Sequence, residues 1–117
     1  MENLTTIDSI IKYFEEQVEQ KKPISPILWL NAAQKLNVLL GNEIDREAEL
    51  QQSCAKIKIT HIENKKSVSE AKARMEASDL YKEYRKQKGK IEQVQEFIRL
   101  AKAQSRVRNE EYLGGSL

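Results

Sequence analysis

Apolar residues near the N-terminus recur at the spacing of an amphipathic helix. The pattern predicts a first helix over about residues 6–20, with one apolar stripe formed by Ile7, Ile10, Ile11, Phe14 and Val18. Thr5 or Thr6 is suited to cap its first turn, because a hydroxyl oxygen accepts a hydrogen bond from a free backbone N–H there. The helix is expected to end at Lys21-Lys22-Pro23, since proline cannot continue it.

A second helix has a clear start signal. Ser25 is a good N-cap, and Pro26 fits the first helical position, where no hydrogen-bond donor is needed. The following residues are apolar around most of the circumference, which predicts burial on several sides. Gly41 predicts the end of this helix, and Asn42 is expected to cap the next one.

The third predicted helix covers about residues 43–65 and has two apolar stripes. One stripe consists of Ile44, Ala48, Ala55, Ile59 and Ile62, and the other, about a third of a turn away, of Leu50, Cys54 and Ile57. A helix with two stripes is expected to pack against two neighbours.

A long fourth helix is predicted from Ser67, which has capping-box spacing to Glu70, to about residue 111. Its inward positions repeat with spacings of three and four over about four heptads, which favours coiled-coil-like packing. We call them the seam: Ala77, Leu80, Tyr84, Gln87, Ile91, Val94, Ile98, Ala101 and Ser105. Gln87 is a polar interruption that is able to set the register of packing.

These elements predict an all-α fold. Short N-terminal helices are followed by two long helices that form a helical hairpin or bundle, and we expect the bundle to be oligomeric. The organisation expected along the chain is an N-terminal amphipathic helix over residues 1–22, a helical bundle with a long C-terminal helix over 23–113, and a flexible tail over 114–117.

Composition strengthens the expectation of an oligomer. The chain has 117 residues, of which 39% are hydrophobic and 32% charged, so it is richer in charge than an average domain. This balance argues against a thick single core and for a core shared between subunits. The N-terminus lacks the features of a signal peptide, and the apolar runs are too short to cross a bilayer. We expect a cytoplasmic protein.

Residues for chemistry are sparse. His61 and Cys54 are the only histidine and the only cysteine, and no glycine-rich phosphate loop or metal-ligand spacing is present. We therefore predict no catalytic residue, no metal site, no cofactor and no small-molecule substrate. Cys54 is expected to be a small buried apolar side chain rather than a nucleophile.

The basic residues of the fourth helix are the strongest functional signal. Residues 1–50 have a net charge of −4 and residues 51–117 of +6. The predicted contacts for phosphates are Lys82, Arg85, Lys86, Lys88, Lys90, Arg99, Lys102 and Arg106, with Tyr81 available to stack on a base. The alternative is that these basic residues form only a solvated helix face. Glu92 and Glu96 favour this alternative, because they interrupt the row of basic residues along the helix.

Three stretches carry a resemblance to a known family. They are Trp29-Leu30-Asn31-Ala32-Ala33, Val68-Ser69-Glu70-Ala71-Lys72-Ala73-Arg74 and Glu96-Phe97-Ile98-Arg99-Leu100-Ala101-Lys102. The chain resembles small helical phage proteins of recombination and replication gene clusters, and its layout is similar to the phage recombination-mediator family. That family usually has a glycine beside its C-terminal basic residues, whereas this chain has Gln104-Ser105-Arg106-Val107-Arg108.

The resemblance implies a function for the basic helix. It implies a homo-oligomer that binds single-stranded DNA and helps a recombinase onto strands covered by single-strand-binding protein. The hypothesis is therefore a non-enzymatic accessory protein in phage recombination or replication, with no membrane partner. The alternative is a structural or protein-interaction helical bundle that binds no nucleic acid.

Overall fold

A computed structural model describes the backbone of residues 4–115 and the side chains of residues 4–107. The fold is all-helical over this range, and the two long helices pack together. The helices are α1 (Ile7–Glu19), α2 (Pro26–Glu63), α3 (Val68–Glu76) and α4 (Asp79–Gly115). None of the helices in the described range is long and apolar enough to span a bilayer.

The chain divides into two compact units. Unit 1 comprises residues 1–41 and 93–117, and unit 2 comprises residues 42–92. The long helices α2 and α4 each contribute to both units. Residues 116–117 of the predicted tail lie outside the described residues, and residues 114–115 belong to α4.

Unit 1 is built around an aromatic cluster. The ring of Phe14 lies 4.7 Å from the ring of Trp29 and 5.9 Å from that of Phe97, between centroids. These residues come from α1, α2 and α4, so the cluster joins all three helices. Around it one face of each helix is buried, formed by Ile7 and Ile10 of α1 and by Ala32, Ala33, Leu36 and Leu40 of α2. Val18, the last member of the α1 stripe, is 58% exposed, and Ile27 and Val38 of α2 are 59% and 78% exposed. The prediction that this part of α2 is buried on several sides is therefore wrong.

Both predicted N-caps of the first two helices are present. Thr6 Oγ1 accepts a hydrogen bond from the backbone N–H of Ser9 at 3.1 Å, and Ser9 Oγ in turn accepts one from Thr6 N at 3.1 Å. Ser25 Oγ accepts from the backbone N–H of Leu28 at 3.4 Å. These bonds satisfy donors that have no partner within the helix.

Helices α1 and α2 end in the same way. Lys21 and Lys65 follow them with φ values of 57° and 66°, in the left-handed region that glycine usually occupies. The backbone N–H of Lys22 bonds to Gln17 O, and that of Lys66 bonds to His61 O, each at 3.0 Å. This pattern is the Schellman motif, which satisfies the last carbonyls of a helix.

Unit 2 contains α3, the second part of α2 and the first part of α4. Arg46 pairs with Glu83 at 4.0 Å, and Glu43 contacts Gln87 and Lys90 further along α4. Higher numbers on α2 thus meet lower numbers on α4, so these segments are antiparallel. The buried residues of unit 2 are Leu50, Cys54, Ala71, Gln87 and Ile91.

The predicted break at Gly41 does not occur. Gly41 and Asn42 lie inside α2, and no described glycine has a positive φ. A glycine ends a helix when it adopts the left-handed conformation, and Gly41 does not. Leu36 and Leu40 before it, and Leu50 after it, are buried, so packing supports the helix on both sides of the glycine.

The predicted fourth helix is divided at residues 77–78. Ser67 caps α3 as expected, by accepting from Glu70 N at 3.1 Å. Ala77 ends α3, and Ser78 Oγ accepts from Tyr81 N at 3.2 Å, which caps the new helix α4. Ser78 followed by Asp79 is an N-cap signal, but the continuous heptad spacing concealed it.

Most of the seam is buried within the chain. Gln87, Ile91, Val94, Ile98 and Ala101 are at most 8% exposed, and Tyr84 is half-buried. Leu80 is 37% exposed, and Ala77 lies outside α4. The seam is thus largely occupied by contacts inside one subunit. A shared core between subunits would have to use another surface.

Candidate nucleic-acid interface

An open cleft lies where α3 gives way to α4 in unit 2. It has a volume of about 530 Å³, and its lining brings four of the predicted contact residues together. The lining residues are Glu76, Ala77, Ser78, Tyr81, Lys82, Arg85 and Lys86. We call Tyr81, Lys82, Arg85 and Lys86 the basic cluster.

The cap of α4 positions the basic cluster. Ser78 Oγ accepts from Tyr81 N and donates to Met75 O at 2.6 Å, so one hydroxyl fixes both the end of α3 and the start of α4. Lys82, Arg85 and Lys86 follow at i, i+3 and i+4, a spacing that places them on one face of the helix. All three of these cations are exposed.

The cations of the basic cluster are free of acidic partners among the described side chains. Lys82, Arg85 and Lys86 are exposed, and none of them has a carboxylate within 4.0 Å in residues 4–107. Glu76, the acidic residue of the cleft, lies 3.9 Å from Lys72 instead. Exposed Lys88 on the same segment of α4 also lacks an ion pair within this range.

Two predicted contact residues are engaged within the chain. Lys90 Nζ lies 3.4 Å from Glu43 Oε1 in unit 2. In unit 1, Arg99 binds Glu96 through two hydrogen bonds of 2.6 and 3.1 Å. The hydrogen bond and the charge of Glu96 raise the pKa of Arg99, and the pKa of Glu96 is lowered chiefly by the same hydrogen bond. Lys90 is half-buried and Arg99 is exposed, and the charges of both are partly compensated.

The remaining predicted contacts lie in unit 1. Lys102 and Arg106 are exposed on the C-terminal part of α4, apart in sequence from the basic cluster. The side chain of Arg108 lies outside the described residues. The row predicted along α4 is thus distributed over two units, and the structure gathers only its first four members around one cleft.

Tyr81 and Tyr84 form an aromatic pair beside the cations. Their ring centroids are 6.1 Å apart, with an angle of 34° between the rings. Both residues are half-buried, and Tyr81 lines the cleft. An aromatic ring beside exposed cations is the arrangement that binds a base and its phosphates together.

Unit 2 also contains a polar contact that the sequence hinted at only through Gln87. The Nε2 group of Gln87 donates to the backbone carbonyl of Glu43 at 2.9 Å and to its Oε2 at 2.6 Å. This hydrogen bond lowers the pKa of Glu43, burial opposes the effect, and the charge of Lys90 supports it. The sequence did not identify Glu43 as the partner of Gln87, because the spacing of residues along one helix does not predict which residues of another helix lie near it.

The two other candidates for chemistry lie in unit 2. Cys54 is a buried free thiol, and burial raises its pKa, which disfavours the nucleophilic thiolate. His61 is half-buried on α2. Within the described residues, histidine, cysteine and carboxylate side chains do not gather in groups of three or more that would hold a metal ion.

No protein-family model, curated protein or solved structure matches this chain at a significant level.

Proposed function

We propose that this protein is a non-enzymatic helical protein that binds single-stranded DNA through the basic cluster of α4. The observation that carries the proposal is the cleft at the start of α4, where three exposed cations without acidic partners in the described range surround Tyr81. Lys88 extends the cationic surface along the same segment. The function involves binding alone, with no bond made or broken.

The energy of binding comes mainly from phosphate contacts. Each lysine or arginine that neutralises a phosphate releases condensed counterions, which favours binding at low salt. Arg85 is able to hold two phosphate oxygens at once through its planar guanidinium, while Lys82 and Lys86 act as point charges. Binding of this kind is independent of base sequence.

Tyr81 favours single strands over duplex DNA. A base of a single strand is free to leave its neighbours and stack on an aromatic ring, which contributes about 1–3 kcal/mol per base. In a duplex the bases are already stacked and paired. The protein is therefore expected to bind a single strand more tightly than the same sequence in a duplex.

The more specific role, in phage recombination or replication, is supported only by the resemblance of the sequence to the phage recombination-mediator family. As an accessory protein of phage recombination or replication, it would act on strands that a single-strand-binding protein already covers, and it would help a recombinase to bind there. This role predicts that the chain associates with covered strands as well as with bare DNA. A pull-down on both kinds of immobilised strand separates the mediator role from simple DNA binding.

The direct test is fluorescence anisotropy with a labelled single-stranded oligonucleotide at about 50 mM salt, where phosphate contacts are strong. The variant Lys82→Gln/Lys86→Gln is expected to bind roughly tenfold more weakly or worse. The matched control is Lys12→Gln/Lys22→Gln, which removes two exposed lysines of unit 1 and has the same net charge. Equal binding by both variants, or no binding by the wild type, contradicts the proposal.

A second candidate function has its own supporting observation. Ile44, Ile59 and Ile62 of α2 are 46%, 53% and 40% exposed, which is unusual for isoleucine. Apolar residues at helical spacing on a surface are typical of protein interaction sites. A structural or protein-interaction bundle without DNA affinity would use this surface, and the anisotropy measurement distinguishes the two functions.

A further inference from the structure

One of the two apolar stripes predicted for residues 43–65, the one that begins at Ile44, is exposed in unit 2. At about 100° per residue, Ile44 and Ile62 point in the same direction. The three apolar residues between them, Ala48, Ala55 and Ile59, lie within about 60° of that direction. We call this surface the α2 stripe: Ile44, Ala48, Ala55, Ile59 and Ile62, all of them exposed. The buried stripe of Leu50 and Cys54 lies on the other side of the same helix, so the contacts of the core do not cover the α2 stripe.

Charges flank the α2 stripe and change sign along it. Glu47 and Glu49 lie beside its N-terminal half, on opposite sides, and Lys56 and Lys58 lie beside its C-terminal half. On a helical projection Lys58 is on the side of Glu47, and Lys56 is on the side of Glu49. Among the described side chains, none of these four has an oppositely charged group within 4.0 Å.

We propose that the α2 stripe pairs with the α2 stripe of a second copy of this chain, in antiparallel orientation. A two-fold axis perpendicular to α2 brings the same side of both helices together, running in opposite directions. When residue 47 of one copy lies opposite residue 58 of the other, residue 49 lies opposite residue 56. Both Glu–Lys pairs therefore form in one register, and each forms twice.

The apolar residues agree with that register. Ile44 of one copy approaches Ile62 of the second copy, at both ends of a contact about 27 Å long at 1.5 Å per residue. Ala48 and Ala55 lie towards the middle, where small side chains allow close approach of the helices. Glu63, an acidic residue near the C-terminal end, falls opposite uncharged Asn42.

Charge selects the antiparallel arrangement over the parallel one. In a parallel pair in register, Glu47 and Glu49 would face the same glutamates of the second copy, and Lys56 and Lys58 would face the same lysines. Like charges across a helix interface disfavour pairing, whereas opposite charges set the partner and the orientation. The same charges therefore disfavour the parallel pair and support the antiparallel one.

The test is sedimentation velocity of the full chain over a range of concentrations at low salt, and it needs no DNA. The wild type is expected to form a dimer, and Ile59→Glu is expected to weaken dimerisation by about tenfold or more, because it places a charge in the apolar contact. The control is Val38→Glu, at a residue of α2 that is 78% exposed and outside the stripe. Circular dichroism of both variants checks that they retain the helical fold.

Disulfide cross-linking then tests the orientation, with Cys54→Ala as the background. Ile44→Cys chains are expected to cross-link with Ile62→Cys chains in a mixture, and not with one another. A wild type that stays monomeric, a dimer that Ile59→Glu leaves intact, or Ile44→Cys chains that cross-link with themselves would each overturn the proposal. If the wild type is monomeric, the α2 stripe would instead be a surface for a different protein.

Discussion

Gln87 donates from one amide nitrogen to two oxygens of Glu43, its backbone carbonyl and its carboxylate. Gln87 is 8% exposed and is the polar member of an otherwise apolar set of buried residues. A shift of α4 by one turn along α2 would leave this amide without its partners, at a cost of about 1–3 kcal/mol. The contact therefore fixes the register of the two helices in unit 2, as polar residues do in coiled coils.

The Glu43–Gln87 contact predicts an acid-sensitive contribution to stability. The pKa of Glu43 is lowered in the folded protein, first by the hydrogen bond from Gln87 and also by Lys90. A lowered pKa means that the contribution is complete above the ordinary pKa of a glutamate and is lost as the pH falls through the lowered value. Glu43→Gln is expected to flatten the loss of stability below about pH 4.5.

Urea unfolding at several pH values measures this effect. Glu16→Gln is the control, because Glu16 is exposed on α1 and has no ion pair among the described side chains. Glu43→Gln is also expected to lower the free energy of unfolding at pH 7 by about 0.5–1.5 kcal/mol, since a charge-assisted hydrogen bond is lost. Identical pH profiles for both variants would show that protonation of Glu43 does not change the stability of the fold.

Gly41→Ala tests the continuity of α2. Gly41 lies inside the helix, and a Cβ built there meets nothing within 4 Å. Alanine is favoured over glycine in a helix interior by about 1 kcal/mol, so the free energy of unfolding should rise by that amount. Thermal or urea denaturation reports the change. A loss of stability would instead indicate a left-handed glycine and two separate helices.

Lys65→Gly tests the C-terminal end of α2. Lys65 has a φ of 66°, which costs a residue with a Cβ about 1 kcal/mol and glycine almost nothing. Glycine is therefore expected to raise the free energy of unfolding by about 1 kcal/mol. The control Lys65→Ala removes the same charge but retains the strained backbone, and it should bring no such gain. Equal effects of both changes would assign the result to the charge.

Local signals in the sequence predicted much of the fold. Thr6, Ser25 and Ser67 act as caps where hydroxyl residues precede apolar periodicity, because capping depends only on nearby residues. Gly41 misled the prediction because glycine permits a helix end without requiring one. Ser78 was missed because the heptad spacing continues through it, although its hydroxyl was the correct signal.

The candidate site was less predictable from sequence. The sequence identified the cations of α4 as candidate contacts, but it could not reveal that Lys90 would meet Glu43 from another helix. The pair of Arg99 with Glu96 was missed, although a spacing of three residues on one helix is a signal for it. It also could not show that the turn before α4 creates a cleft at Tyr81 and Lys82. The Lys90–Glu43 contact joins residues distant in sequence, for which spacing along one helix gives no distance.

The salt dependence of binding to single-stranded DNA tests the role of the basic cluster most directly. For single strands, the slope of log K against log salt falls by about 0.7 for each phosphate contact. Lys82→Gln/Lys86→Gln is expected to reduce the magnitude of the slope by about 1.4 relative to the wild type, while Lys12→Gln/Lys22→Gln leaves it unchanged. Equal slopes for the wild type and both variants would contradict a phosphate-binding role for the cluster.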